Sequence, residues 1–226
     1  LKVIPFHKLF SINVIGYMVN NLLPARIGEL TRAYLTWKKE GVSKSAVLGT
    51  IVVERIFDGL ALIFIILIPA LLLPLGSLFN NLLIIMISLF LGLLIFLMII
   101  VAFPELLKKV INFLLGFSPS SWKIKGEKAT GSFIEGLKIL HNPGRMAVIF
   151  IYSLFLWSIE AIVGYLIGVA FGLKIPLTAY FIATGAANLA TTLPTTQGGI
   201  GPYEFFSKQT LMVFGVSNSV AVAYAV

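Results

Sequence analysis

The stretch Asn188 to Phe206, NLATTLPTTQGGIGPYEFF, differs sharply from the apolar sequence around it. It holds three glycines, two prolines, four threonines and one acid. A lipid-exposed helix has no use for such residues, because glycine-rich, polar backbone at membrane depth is tolerated only where it is buried in protein or lines a wet cavity. The stretch is therefore a candidate site inside a membrane protein.

The composition of the whole chain supports that class. Its 226 residues are 58% hydrophobic, with a mean hydropathy of +1.00. Soluble domains are near half apolar, so we expect an all-α polytopic membrane protein. Three apolar segments are long enough to span a bilayer, which takes about 20 residues. They are 46–73, 82–103 and 147–173.

Charge and cysteine content exclude several classes of function. Cysteine is absent, which excludes disulfides and thiolate catalysis. Without a metal-binding or nucleotide-binding signature, we predict no metal, no cofactor and no catalytic residue. The net charge of +8 reflects basic cytoplasmic loops, and no basic run is interleaved with aromatics as nucleic-acid binding requires. The lysine-rich loops 38–45 and 104–145 belong inside. Within 104–145, Pro119 and Gly126 mark a loop, and we expect a short surface helix on each side of it.

The two ends of the chain resemble each other. LKVIPFHKLF at 1–10 matches LKIPLTAYF at 173–181, and later matches follow in the same order. They pair Gly16 with Gly185, Leu23-Pro24 with Leu193-Pro194, and GVSKS at 41–45 with GVSNS at 215–219. We define repeat A as about 1–52 and repeat B as about 173–226. Three spans separate them, and since three is odd the copies have opposite orientation, as in inverted-repeat transporters.

Each repeat is predicted to form a re-entrant helical hairpin. The apolar run Ile12 to Val19 is too short to span, and Pro24 and Gly28 interrupt it. We expect a turn from Pro24 to Gly28 and a second half-helix to Trp37; a surface amphipathic helix is the alternative. The fold prediction is thus two hairpins around a central bundle, in one membrane domain over 1–226. Repeat B lacks a following span, so we expect a fragment, and its last helix starts near Ser219.

The glycines of repeat B would open a helix near the membrane centre, where free N–H groups suit an anion. Arg26, at the matching place in repeat A, can pair bidentately with phosphate. The predicted site is the space between the hairpins, although the glycines could serve only packing and a turn. Its predicted substrate-binding residues are Asn20, Arg26, Glu29, Asn188, Thr195, Thr196, Gln197, Gly198, Gly199, Gly201 and Glu204.

Four charged residues lie inside predicted spans: Glu54, Arg55, Asp58 and Glu160. Each costs on the order of 2.5–3.5 kcal/mol at a helix centre, so such residues usually face the bundle interior. The first three could form a self-neutralising structural cluster. Glu160 has no partner in its own helix and could pair with Arg26 or Arg55, or carry a coupling proton. Glu29 and Glu204 are first-turn acids that favour a helix start, or ligands of a cationic headgroup.

Three motifs together resemble the membrane region of lysylphosphatidylglycerol synthases and its stand-alone flippase-like relatives in bacteria and archaea. They are NNLLPARIGELTRAYL at 20–35, VVERIFDGLAL at 52–62 and TTLPTTQGGIGPYE at 191–204. Thr196-Gln197 replaces the family's usual small residue and proline before the double glycine. The resemblance implies a multi-pass protein of a bacterial or archaeal plasma membrane. It also implies movement of a polar lipid or a polyprenyl-phosphate-linked headgroup between leaflets.

Three hypotheses of function follow. The first is a lipid flippase-like transporter, whose partners are membrane lipids and which leaves room for a homo-oligomer. The second is a membrane-embedded transferase on polyprenyl-phosphate substrates, with Glu54, Asp58 or Glu160 as base or metal ligand; the lack of a DxD-like motif disfavours it. The third is a non-catalytic membrane scaffold. The soluble aminoacyl transferase domain of the synthases is not in this sequence, so lipid synthesis is not predicted.

Overall fold

The computed structural model describes residues 3–72, 77–114, 120–191 and 199–226, and every regular element in those ranges is helical. The all-α prediction is therefore confirmed for the described residues. The first five α-helices are α1 Phe6–Leu22, α2 Ile27–Glu40, α3 Lys44–Leu72, α4 Ser77–Ala102 and α5 Pro104–Leu114. The next are α6 Ser120–Leu137, α7 Pro143–Ala170, α8 Leu177–Ala190, α9 Pro202–Val213 and α10 Asn218–Ala225. A 3-10 turn, Lys138–His141, precedes α7.

The chain forms two compact units, and α3 and α4 each contribute one part to each. Unit 1 contains residues 1–56 and 92–147, and unit 2 contains 57–91 and 148–226. The hairpin segment of repeat A therefore lies in unit 1, and that of repeat B lies in unit 2. The two units cut across the predicted single membrane domain, which stays a prediction.

In unit 1, α1 and α2 pack as an antiparallel pair. Lys8 Nζ lies 2.8 Å from Glu40 Oε1, so the start of α1 meets the end of α2. Nearer the turn the backbones approach closely, since a Cβ on Gly28 would collide with the carbonyl oxygen of Gly16. Small residues at a helix contact allow such an approach. Glycine at both positions therefore sets the spacing of the pair.

A second close contact in unit 1 joins α6 to the start of α3. A Cβ added to Gly136 would collide with the carbonyl oxygen of Ala46, and one on Gly49 would lie 2.6 Å from the carbonyl oxygen of Phe133. Two glycines thus face each other where α3 and α6 meet. This contact fixes the C-terminal half of α6 against the helix that carries Glu54.

Unit 2 has an apolar core contributed by α3, α4 and α8. Leu62, Ile66 and Ile182 are buried together with Phe90. Glycines again allow close packing. The Phe90 side chain occupies the place where Gly59 would carry a Cβ, and the Ile66 side chain occupies the corresponding place at Gly185. This core holds α8, and hence the first residues of the stretch Asn188 to Phe206.

The three predicted spans correspond to α3, α4 and α7. Among the described residues, Ile84–Ala102 of α4 and Pro143–Ala170 of α7 are long and apolar enough to cross a membrane. The 29-residue α3 has the required length but carries Glu54, Arg55 and Asp58. Helices thus occupy the predicted spans, and the re-entrant geometry of the hairpins stays a prediction.

Two boundaries of the first hairpin differ from the prediction by two or three residues. The turn of the first hairpin ends at Arg26, and Gly28 is the second residue of α2, because it is needed where α2 crosses Gly16 rather than in the turn. α2 also continues past Trp37 to Glu40 and ends at Gly41, whose φ of 73° suits only glycine well. The predicted start of the last helix, near Ser219, agrees with α10.

The glycine contact between α3 and α6 generates a stability prediction. Gly136→Ala places a methyl group against backbone, so we expect it to lower the free energy of unfolding by roughly 1–3 kcal/mol. Gly131→Ala, on the same helix, meets nothing within 4 Å and should instead raise it by about 0.5–1 kcal/mol. Thermal unfolding of the purified chain in detergent measures both. Equal shifts in the two variants would contradict the close contact.

Candidate functional site

A bidentate ion pair joins α2 to α3 in unit 1. Arg32 Nη1 donates to Glu54 Oε1 at 3.1 Å, and Nη2 donates to Glu54 Oε2 at 2.8 Å. The Arg32 side chain is 14% exposed and that of Glu54 is 33% exposed. A bidentate pair of this kind is among the strong hydrogen bonds of proteins. It joins the hairpin to α3.

Three further charges extend this pair into a network. Arg55 Nη2 donates to Glu54 Oε1 at 2.5 Å, and Arg55 Nε lies 3.7 Å from Glu29 Oε1. Arg26 Nη1 also lies 3.7 Å from Glu29 Oε1. We call the five residues the arginine network. Three arginines against two glutamates leave it with a net charge of +1, so the predicted site residues Arg26, Glu29, Glu54 and Arg55 share one cluster.

The backbone of α1 makes room for Arg32. A Cβ on Gly16 would lie 2.7 Å from Arg32 Cδ and would also collide with Cγ. The arginine stem therefore crosses α1 over a bare glycine. One turn further along α1, Asn20 Oδ1 accepts a hydrogen bond from the backbone N–H of Gly28 at 2.7 Å. Asn20 thus holds the first turn of α2, and its predicted contact with substrate stays a prediction.

The turn between α1 and α2 has an unfavourable backbone. Ala25 has φ 58° and Arg26 has φ 54°, both in the left-handed region. Left-handed conformation costs a residue with a Cβ roughly 1–2 kcal/mol. Such outliers persist where the surroundings enforce them, and they cluster at functional sites. Here the conformation places Arg26 directly before α2, one turn from Glu29.

A cavity of about 170 Å³ lies beside the network within unit 1. Its polar lining residues are Asn13, Arg32, Thr36 and Thr50, and its apolar lining residues are Ile4, Leu9, Ile12, Val42, Ala46 and Val47. Arg32 Nε is buried and has no hydrogen-bond partner among the described residues. Glu54 binds the two terminal nitrogens, so the Nε edge of the same guanidinium remains a donor for a second anion.

In unit 2, Glu160 of α7 and Asn188 of α8 are in contact. Asn188 Nδ2 donates to Glu160 Oε1 at 2.9 Å and to the carbonyl oxygen of Thr184 at 3.0 Å. The structure thus joins two candidate residues that are 28 positions apart in the sequence. The pairing of Glu160 with Arg26 or Arg55 stays a prediction. Asp58 has a different partner in this unit, since Ser153 Oγ donates to its Oδ1 at 2.7 Å.

The start of α9 differs from the prediction that glycines open the helix. α9 begins at Pro202, with Gly201 as its N-cap, because proline suits the first helical position. Glu204 Oε2 accepts a hydrogen bond from the N–H of Gly201 at 2.5 Å. A carboxylate therefore already occupies one of the backbone donors that we predicted for an anion. Thr195, Thr196, Gln197 and Gly198 lie outside the described residues.

Gly199 and Gly201 have positive φ angles of 79° and 100°. They precede α9 as Ala25 and Arg26 precede α2. Glu204 and Glu29 are both the third residue of their helices, where acids favour the helix start. The first-turn-acid interpretation of both glutamates therefore agrees with their positions.

Sequence reasoning missed Arg32 and the cavity residues around it. Arg32 lies three residues after Glu29, so both share a face of α2, and this spacing was the available signal. Nothing in the sequence indicated that Gly16 would lie beneath its stem.

Comparisons with known proteins agree with this picture of a membrane chain. The family model described as "Lysylphosphatidylglycerol synthase TM region" matches residues 2–226. A UPF0104 membrane protein of Methanocaldococcus jannaschii is 29% identical over 206 residues, covering 91% of this chain and 83% of that protein. A UPF0104 membrane protein of Methanothermobacter thermautotrophicus is 28% identical over 233 residues, covering 96% of this chain and 67% of that protein. No solved structure matches.

The partly buried ion pair predicts coupling between Arg32 and Glu54. Replacing one partner leaves the other charge uncompensated, so Arg32→Met alone should cost about 3 kcal/mol, at the low end of the range for buried pairs. The double variant Arg32→Met/Glu54→Leu should lose less stability than the two single variants together, with a coupling energy of roughly 1–3 kcal/mol. Thermal unfolding of the four proteins in detergent measures this cycle.

The exposed pair Lys108–Glu105, with 2.7 Å between Nζ and Oε1, provides the control cycle. Its coupling should not exceed about 1 kcal/mol. Additive effects of the Arg32 and Glu54 substitutions would show that the pair does not form.

The left-handed turn predicts an unusual response to glycine. Ala25→Gly removes the left-handed penalty of roughly 1–2 kcal/mol, which offsets the entropic cost of glycine, about 0.5–1 kcal/mol. Ala129→Gly, at an exposed position within α6, carries the entropic cost of glycine and relieves no left-handed penalty. We expect the Ala25 variant to unfold at the higher temperature of the two. The reverse order would place Ala25 in an ordinary conformation.

Proposed function

Because the chain belongs to the family of the lysylphosphatidylglycerol synthase transmembrane region, we propose that it is a membrane transporter of a phosphate-bearing polar lipid or lipid-linked headgroup. The cargo moves between the leaflets of a cell membrane that the chain crosses several times. One observation carries the proposal: three arginines cluster with two glutamates, next to a cavity that Arg32 lines, inside a chain that is 58% hydrophobic. Guanidinium groups in apolar surroundings attract an anion.

The shape of unit 1 supports a lipid phosphate as that anion. The cavity beside Arg32 is too small for a whole lipid, since pockets for ligands of drug size are about 300–1,000 Å³. It suits one polar group with a short apolar continuation, because polar and apolar residues share its wall. The headgroup phosphate would bind the Nε edge of Arg32, with the positive field of the network around it. The acyl chains stay in the bilayer.

The internal repeat supports transport rather than simple binding. In each unit the first hairpin helix follows a proline, Pro5 or Pro176, and two positive φ angles occur before the second. The second helix has glutamate as its third residue and is followed by a glycine of positive φ, Gly41 or Gly215. Corresponding broken segments in two halves are the sequence sign of an inverted-repeat transporter. The opposite orientation of the copies belongs to this proposal.

The roles of the two repeats differ. Repeat A has arginine before its second helix, whereas repeat B has glycines and a backbone N–H that Glu204 already engages. We therefore place the phosphate on the arginines of repeat A. The pair of Glu160 and Asn188 in unit 2 supplies a polar group in the mainly apolar α7. It is suited to a hydroxyl or amine of a headgroup, or to a coupling proton.

The net charge of the network is the quantity to test. Arg26→Ala leaves two arginines against two glutamates, and we expect it to slow translocation of a fluorescent phosphatidylglycerol about tenfold, the value of one hydrogen bond to a charged group. Arg26→Lys keeps the charge and should retain most of the rate. Leaflet-resolved quenching of the labelled lipid in proteoliposomes measures the rate. A labelled diacylglycerol, which lacks the phosphate, should move equally fast with every variant.

Arg145→Ala is the matched control, because Arg145 is exposed at the start of α7 and belongs to no network contact. It should translocate lipid as fast as the wild type. If folded Arg26→Ala protein matches the wild-type rate, the phosphate does not use this network. If wild-type proteoliposomes are no faster than protein-free vesicles, the chain is not a transporter of that lipid.

A further inference from the structure

A basic, partly apolar surface lies on α5 and the first half of α6, away from the arginine network. Both helices belong to unit 1 and pack against each other. We call it the basic amphipathic surface. Its apolar members are Leu106, Val110, Phe113, Trp122 and Ile124, and its basic members are Lys108, Lys109, Lys123, Lys125 and Lys128.

The apolar members are large and exposed. Leu106, Val110 and Phe113 of α5 are 54%, 54% and 75% exposed, and their spacing of four and three residues places them on one face of the helix. Lys108 points to the opposite side of α5, whereas Lys109, three residues after Leu106 and four before Phe113, borders the apolar face. On α6, Trp122 and Ile124 are 67% and 68% exposed. Trp122 and Ile124 are two residues apart and point to different sides of α6. The contiguous apolar face is that of α5, and an exposed face of this kind marks an interaction site.

The segment 104–145, which contains the basic amphipathic surface, is predominantly positive. Residues 104–145 contain seven basic and three acidic residues, a difference of +4. Lys123, Lys125 and Lys128 are exposed and flank the apolar side chains of α6. Lysines around exposed tryptophan and aliphatic residues are the pattern of helices that lie in the headgroup region of anionic bilayers.

The position of α5 in the chain restricts what can cover this face. Only Phe103 separates α5 from α4, which is apolar enough to span a membrane. The second candidate span, α7, begins at Pro143, shortly after the 3-10 turn. Both ends of the segment are thus connected to helices that enter the bilayer. The contact of Gly136 with Ala46 holds the end of α6 within unit 1. The bilayer surface is therefore the nearest partner for the exposed face.

We propose that the basic amphipathic surface binds anionic phospholipids of the bilayer that the chain itself occupies. The apolar side chains of α5 and Trp122 insert below the headgroups, and the lysines contact lipid phosphates. About 1 kcal/mol per lysine near a surface makes the attachment dependent on lipid charge. This binding is independent of the proposed transport, because it involves none of the network residues.

The absence of cysteine from the chain permits a direct measurement of depth. Val110→Cys and Lys108→Cys carry a nitroxide label at two similarly exposed positions, 54% for Val110 and 44% for the Lys108 side chain. In proteoliposomes with phosphatidylglycerol, the Val110 label should be at least threefold more accessible to oxygen than to a water-soluble nickel chelate. The Lys108 label should show the reverse preference. Equal preferences at both positions would overturn the insertion of α5.

A second measurement tests the dependence on lipid charge with the lysines of α6. In a Trp37→Phe/Trp157→Phe background, Trp122 is the only tryptophan, and iodide quenching reports its exposure to water. Quenching should fall about threefold from phosphatidylcholine vesicles to vesicles with phosphatidylglycerol. Replacing Lys123, Lys125 and Lys128 together by serine should abolish this difference, since each lysine contributes a factor of about five to binding. Replacement of the three by arginine should preserve it.

Two other outcomes would contradict binding of this surface to anionic lipid. If Trp122 is equally open to iodide in both vesicle types, lipid charge does not hold the surface, and the proposal fails. If Trp122 becomes shielded only when a soluble protein is added, the occupant is that partner and not the bilayer. Translocation assays on the same serine variant separate this surface from transport, because their rate should stay that of the wild type.

Discussion

The ion pair between Arg32 and Glu54 is the contact on which the rest of unit 1 depends. Charged side chains are costly in apolar surroundings, and a bidentate pair is the geometry in which an arginine and a carboxylate best neutralise each other. Glu54 also accepts from Arg55, so two arginines converge on one acid. Glu29 joins the network with Arg26 and Arg55. The arginines of this cluster, with the cavity beside Arg32, make it a candidate anion site.

The backbone of the α1–α2 hairpin positions Arg32 for this pair. Gly16 leaves space for the stem of Arg32, and Gly28 lets α2 approach α1 closely enough for that stem to cross. Asn20 holds the first turn of α2 through Gly28, and the left-handed residues Ala25 and Arg26 reverse the chain within four residues. Each feature would be unfavourable alone, because it removes a side chain or strains the backbone. Together they place an arginine and a glutamate in register with α3.

Much of the fold followed from pattern, and less of the site did. Long apolar runs predicted α4 and α7, whereas α2 was predicted to end at Trp37 and continues to Glu40, before Gly41, since glycine is favoured after a helix. The prediction of free glycine N–H groups failed at Gly201, because the glutamate three residues later turns back to cap its own helix. Arg32 was not predicted as a site residue, because its contacts are distant in sequence. Its partner is 22 residues away, and its path over Gly16 depends on how two helices cross.

The sequence by itself determined the class of this protein: an apolar, helical membrane chain with related, broken segments near its two ends and a lysine-rich stretch between two spans. Hydropathy and helix signals are local, so they can be read without a structure. Only the tertiary structure decided which charges meet. It paired Glu54 with Arg32, Glu160 with Asn188 and Asp58 with Ser153. Such pairs depend on the distance between helices, and that distance is set by glycines whose effect appears only when the helices pack.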